Sequence, residues 1–343
     1  MKIRIVLPDL LVCITLGISA DLAPLKAEEF GVHAPSLVRV TSESSAESPS
    51  LGKGQGTFGA VVAQMEADLE LIRLEIGKPE RPALLIKFEG ASQCELYSIS
   101  YSLLDKLNQL YYEQFREQRL MEAQAECALA KESDVREMLI KISETVALIK
   151  RRFGIEEDSN ISAGENVPDE PNALLFSLFQ ANQTAARLLE DPITPSDVYQ
   201  RVHMALQLAL KFRAKYPGNR IPDTPAFERR KTPSQVSQNL IGCLELVADL
   251  AKRFGERALS VHIETDQEQR MRDVFEFANL MVTQLKRLAS SQGVVVGDGE
   301  LATYDPGVKL PSHVYQRVNL LKRVLKDVLQ LSQVDSKGVG AAG

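Results

Sequence analysis

Tryptophan is absent from the 343 residues, and aromatic residues make up only 6%. That scarcity argues against a wide aromatic-lined cleft for a sugar or a nucleobase. Histidine occurs four times, at His33, His203, His262 and His313, with no pair at metal-ligand spacing and no HExxH. The four cysteines contain no CxxC, so neither a redox motif nor a zinc knuckle is indicated. A Gly-x-Ser-x-Gly elbow, a P-loop and a dinucleotide fingerprint are missing too. The Gly-rich stretch "GKGQG" (52–56) follows no strand pattern and reads as linker. The acidic clusters "EEDSN" (156–160), "PDEP" (168–171) and "DGE" (298–300) lack the oxygen-ligand spacing of a calcium loop. No catalytic residue, metal ligand or cofactor contact is therefore assigned from the sequence.

Long apolar runs are also scarce. The most apolar one lies at the start, where Lys2 and Arg4 precede "LLVCITLGISA". A basic start, a short apolar core and the small-residue pattern Ile18-Ser19-Ala20 predict a signal peptide over 1–20 and an exported, periplasmic or secreted protein. Pro8 and Asp9 shorten the core below the roughly 20 apolar residues that a span needs. Membrane association is expected only if this segment stays uncleaved. Cleavage would remove two basic residues and one acidic residue from totals of 40 and 46, leaving a net charge of −7. Such an acidic chain is a poor nucleic-acid binder. Cys94, Cys127 and Cys243 would remain, so at most one pair could bridge. Export permits that disulfide, but the apolar helical setting of each Cys reads first as a small buried hydrophobe.

Residues 21–56 are Ser-, Gly- and charge-rich with no apolar period, and predict a disordered tether. A helical repeat domain is expected over 57–335 and a flexible tail over 336–343. Val62, Met65, Leu69, Ile72 and Ile76 follow a heptad spacing that Gly77, Pro79 and Pro82 terminate. This 62–76 stripe either docks on the main body or forms a homodimer seam. Between Ser92 and Phe153 there is neither Gly nor Pro, and two helices are expected there with a break near "LAKESD". Further helical runs appear near 172–190, 196–216, 234–254, 266–290 and 312–332, separated by long loops rich in Pro and Gly. Period-two alternation is nearly absent, so no sheet is expected beyond a small hairpin at Asp298-Gly299.

What the chain does have is a repeated phrase. "TPSDVYQRV" at 194–202 returns as "LPSHVYQRV" at 310–318. Its core recurs in degraded form from Glu95, Asp134, Asp197, Gln235, Asp273 and His313, at steps of 39, 63, 38, 38 and 40 residues. The long step holds one more helix, whose "ALLF" (173–176) is a worn copy. A recurring step of this size is an internal repeat. Thr194 and Thr232 read as N-caps, Pro195 and Pro233 as first helical residues, and Asp197 and Gln235 as third-position side chains reaching back to the cap. Basic residues, an aromatic and Gly close several helices: "IKRRFG", "FRAKYPG" and "AKRFG". The expected fold is all-α, a helical repeat array or bundle of about seven or eight helices with long Pro/Gly-rich loops.

Tyr97, Tyr199, Phe275 and Tyr315 occupy the aromatic place in the phrase. They form the one candidate binding surface, or they pack the first helical turn onto a neighbour. The leading expectation is a non-enzymatic exported scaffold or adaptor with a protein partner in the cell envelope. A small-molecule-binding or sensor domain with an inter-helix pocket is the first alternative, and a helical-fold lyase or hydrolase the second.

Overall fold

The computed structural model describes residues 57–80, 84–119, 127–155, 168–190, 192–216, 218, 221–263, 268–294 and 307–338. They form α1 (Phe58–Ile76), β1 (Ile86–Glu89), α2 (Gln93–Phe115), α3 (Glu132–Phe153), α4 (Pro171–Leu188), α5 (Pro195–Ala214), α6 (Pro233–Arg253), β2 (Ser260–Ile263), α7 (Met271–Ser291) and α8 (Pro311–Gly338), with a 3-10 turn at Cys127–Leu129. The all-α class is observed. The expected signal peptide, the tether and the Asp298-Gly299 hairpin lie outside the described residues.

The repeated phrase is a helix-start device. At all six copies the N-cap backbone N–H donates to the third-residue side chain. The pairs are Ser92 to Glu95 (2.7 Å), Lys131 to Asp134 (2.8 Å), Thr194 to Asp197 (2.7 Å), Thr232 to Gln235 (3.1 Å), Arg270 to Asp273 (2.8 Å) and Leu310 to His313 Nδ1 (3.0 Å). Each bond satisfies a donor near a helix end that has no partner inside the helix. The worn copy at α4 uses another arrangement: the Glu170 carboxylate accepts the Ala173 N–H.

Neighbouring helices start together and end together. Ala91 N–H reaches Asn172 at the starts of α2 and α4, and Glu190 N–H reaches Glu113 at their ends. Phe58 meets Arg136 near the starts of α1 and α3, while Asp68 meets Lys150 farther along. Tyr199 meets Arg317 and Arg213 meets Asp327 along α5 and α8. Gln269 N–H reaches Ser234 and Arg287 reaches the Arg257 carbonyl, so α6 and α7 run the same way. In the first bundle α1 and α2 each pack on both α3 and α4; in the second, α5 and α6 each pack on both α7 and α8. Both are therefore four-helix bundles of parallel helices with one topology, α1–α4 repeated as α5–α8.

Parallel neighbours explain the long loops. A 20-residue helix is about 30 Å long, so its successor can start at the same end only after a return of some nine extended residues. Within each bundle the connections run 16 to 19 residues. The return before α6 climbs along α8: the Asp223 carbonyl meets Arg323, the Pro225 carbonyl meets Gln316, and Phe227 meets His313. Only six residues, 189–194, join α4 to α5. That is where the direction reverses.

The two bundles lie antiparallel along α2 and α4 on one side and α7 on the other. Ser98 pairs with Thr283, Glu95 with Gln284, Lys106 with Glu276, and Gln183 with Asp273. Phe88 of β1, Phe179 of α4 and Phe277 of α7 stack with centroids 5.6 Å apart at both steps. Antiparallel β1 and β2 close the join, with Phe88 opposite Val261.

Several expectations need correction. A two-stranded sheet exists; its strands have four residues each, too short to declare a period. α3 begins at Glu132, inside the expected break at "LAKESD", but α2 already ends at Phe115, because Arg116 ends the helix in the left-handed region at φ 59°. α8 continues to Gly338, past the expected tail boundary at 336. Cys94 and Cys127 form a disulfide, while Cys243 is a buried free thiol. The heptad stripe needs no correction on its first reading: Val62, Met65, Leu69 and Ile72 dock on the chain's own core, fully buried where α1 packs on α3 and α4.

Candidate functional site

The second bundle gathers four helix starts at one end, where α8 packs between α5 and α6. Because α5 and α8 are parallel neighbours, the two copies of the phrase lie side by side. Arg317 from one copy donates to the Tyr199 hydroxyl of the other (3.0 Å from Nε) and stacks over its ring (4.9 Å). Arg201, the equivalent arginine on α5, stacks over Phe275 on α7 at 5.5 Å. Lys231, just before α6, sits 4.3 Å over Tyr315. Each cation of the phrase thus reaches a neighbour's aromatic, and the contacts tie the four starts together.

The four sequence candidates do not share one groove. Tyr199 is buried, Tyr315 and Phe275 are half-buried, and all three lie at this end. Tyr97 is buried at the start of α2, beside Ser98 on the seam with α7, at the opposite end of the molecule. These aromatics pack helix starts onto neighbouring segments.

What this end exposes is a set of residues that the sequence reading passed over. Val308 is 92%, Leu310 57% and Phe227 43% exposed. Lys309 N–H donates to Ser196 Oγ (3.0 Å), which donates in turn to the Gly307 carbonyl (2.9 Å), and this holds the 307–310 strap against α5. Phe227 is held against His313, with centroids 4.9 Å apart. Exposed Arg229 and Arg230 follow it. The segments 194–204, 225–231 and 307–317 carry six Lys or Arg against two carboxylates, on a chain whose net charge is −6. Four helix dipoles add their positive ends here. The signal was present in the loops: "PAFERRK" and "GVKLP" each join apolar and basic residues.

Shifted groups occur at this end, at Asp273 and His203, and away from it, at Glu66. Burial pushes the Glu66 carboxyl on α1 up to about 7. Burial also raises Asp273 at the start of α7, opposed by the Arg270 N–H. Burial lowers His203, and the nearby Arg317 lowers it further. The Cys243 thiol is pushed up to about 12 by burial, which makes it a poor nucleophile. Among the described residues no group of three or more His, Cys, Asp and Glu could hold a metal ion. None of their helices is long and apolar enough to cross a membrane. Compared with protein-family models, curated proteins and solved structures, the chain matches none.

Proposed function

We propose that the chain is a non-enzymatic scaffold that docks an acidic protein partner on the helix-start end of its second bundle. One observation carries this reading: exposed Val308, Leu310 and Phe227 stand among basic residues on an otherwise acidic chain. Apolar anchors inside a basic rim suit a partner with apolar side chains on an acidic segment. Placement in the cell envelope rests on the amino-terminal sequence, and the Cys94–Cys127 bridge supports it, because such bonds persist in oxidising compartments.

The test is photo-crosslinking in the native envelope from position 308, with exposed Glu144 on α3 as the control position. A discrete protein adduct is expected from 308 and not from 144. Reversing Arg229 and Arg230 to Glu should abolish it. Equal adducts from both positions, or an adduct that survives charge reversal, would sink the reading.

A further inference from the structure

At the other end of the molecule the four helices of the first bundle start around a cavity of about 410 Å³. It is independent of the docking face just described. Phe58, Leu96, Val135 and Leu174, one from each helix, supply apolar wall. This volume is in the range of small-molecule sites, which pair an apolar lining with a few polar groups.

The polar groups decide what kind of molecule fits. Parallel helix starts would by themselves draw an anion, but those N–H groups are engaged. Gly59 N–H donates to Asp169 (2.7 Å), Ser92 N–H to Glu95 (2.7 Å) and Ala173 N–H to Glu170 (3.2 Å); the Lys131 N–H is engaged by Asp134. Arg136, the lining cation, is committed too: it lies over the Phe58 ring at 4.5 Å and pairs with Glu132 at 3.3 Å. On the acceptor side, Gln93 Oε1 is buried without a partner. Glu132 and Asp169 add two lining carboxylates against that single guanidinium. A buried acceptor with no donor costs free energy until a donor arrives.

We propose that this cavity is a binding site for a small primary amine with an apolar body. The ammonium donates to Gln93 Oε1 under the field of Glu132 and Asp169, and the body fills the space between Leu96, Val135 and Leu174.

Saturation-transfer NMR on the full chain tests this with three probes of one size: benzylamine, benzyl alcohol and benzoate. Benzylamine should bind most tightly and benzoate least. Gln93→Leu, which removes the acceptor and leaves a helix-forming residue in the first turn of α2, should weaken benzylamine about five-fold. Glu132→Gln should weaken it two- to three-fold and leave benzyl alcohol unchanged. Circular dichroism of each variant checks that the helices remain. Preference for benzoate would overturn the amine assignment. No saturation transfer from any probe, or benzylamine binding unaltered in Gln93→Leu, would overturn the site.

Discussion

Lys106 and Glu276 meet 2.9 Å apart with side chains only 6% and 2% exposed. Lys106 also donates to Asn182 (2.5 Å) and Ser102 (2.7 Å), and Asn182 donates to the Ile99 carbonyl (2.8 Å). A charge so deep is tolerable only with its partners in place. Lys106→Met alone should therefore cost about 3–5 kcal/mol, because it strands a buried carboxylate. The double variant Lys106→Met/Glu276→Leu should recover most of that loss, measured as urea unfolding free energy. Equal losses in single and double variants would mean that the pair is not coupled. Glu66 makes the opposite case, a half-buried acid whose buried Oε1 has no hydrogen-bond partner. Its folded pKa, about 7, stands above the unfolded value of 4.5. The folded state thus holds the proton more tightly. The corresponding stability is complete below the unfolded pKa and is lost as pH rises through about 7. Glu66→Gln removes that loss, so the variant should gain on the native chain by roughly 2–3 kcal/mol between pH 5 and pH 8. Parallel pH profiles of the urea midpoint would refute this.

Elements were legible where the chain states its own boundaries. The starts of α5 and α6 could be read because cap, Pro and third-position acceptor sit at fixed offsets, and these became the bonds at Thr194 and Thr232; α7, whose copy has Arg270 at the cap and no Pro, begins at Met271 and not near 266. Three features were not legible, for distinct reasons. Arg116 ends α2 by adopting a conformation that sequence assigns to Gly or Asn. The strands gain their identity only from pairing with each other, as Phe88 does with Val261 from the far half of the chain, and no local pattern reports that. The exposed strap at Val308 and Leu310 has no periodicity, and its role appears only once α5 and α8 are neighbours. Between β1 and α2, Gly90 adopts φ 82°, and a Cβ there would lie 2.0 Å from the Ala258 carbonyl oxygen. That backbone belongs to the approach to β2 and cannot yield as a side-chain tip would. Gly90→Ala should cost at least about 2 kcal/mol by combined strain and clash. A urea midpoint within error of the native one would show that the strand pair is free to separate.

At the scale of the whole molecule, parallel helices impose a cost that the fold offsets in two ways. Four aligned dipoles repel, and acidic first turns with basic last turns reduce the repulsion, as Asp197 and Lys211 with Arg213 do on α5. Placing the second bundle antiparallel to the first then cancels much of what remains. The arrangement makes the two kinds of connection unequal in what they tolerate. The α5–α6 return has 18 residues and must cover the roughly 31 Å length of a 21-residue helix. Cut to six residues it reaches at most about 20 Å, so α6 could not begin beside the start of α8. The six-residue α4–α5 link joins ends already close together. Doubling it with Gly and Ser after Glu190 adds only about 0.6 kcal/mol of closure entropy. The shortened return should abolish cooperative unfolding, while the lengthened link should leave the urea transition nearly in place. If the shortened chain folds with native cooperativity, the helices of the second bundle do not all run the same way. If the lengthened link destabilises the protein severely, the reversal between bundles is not where the chain turns.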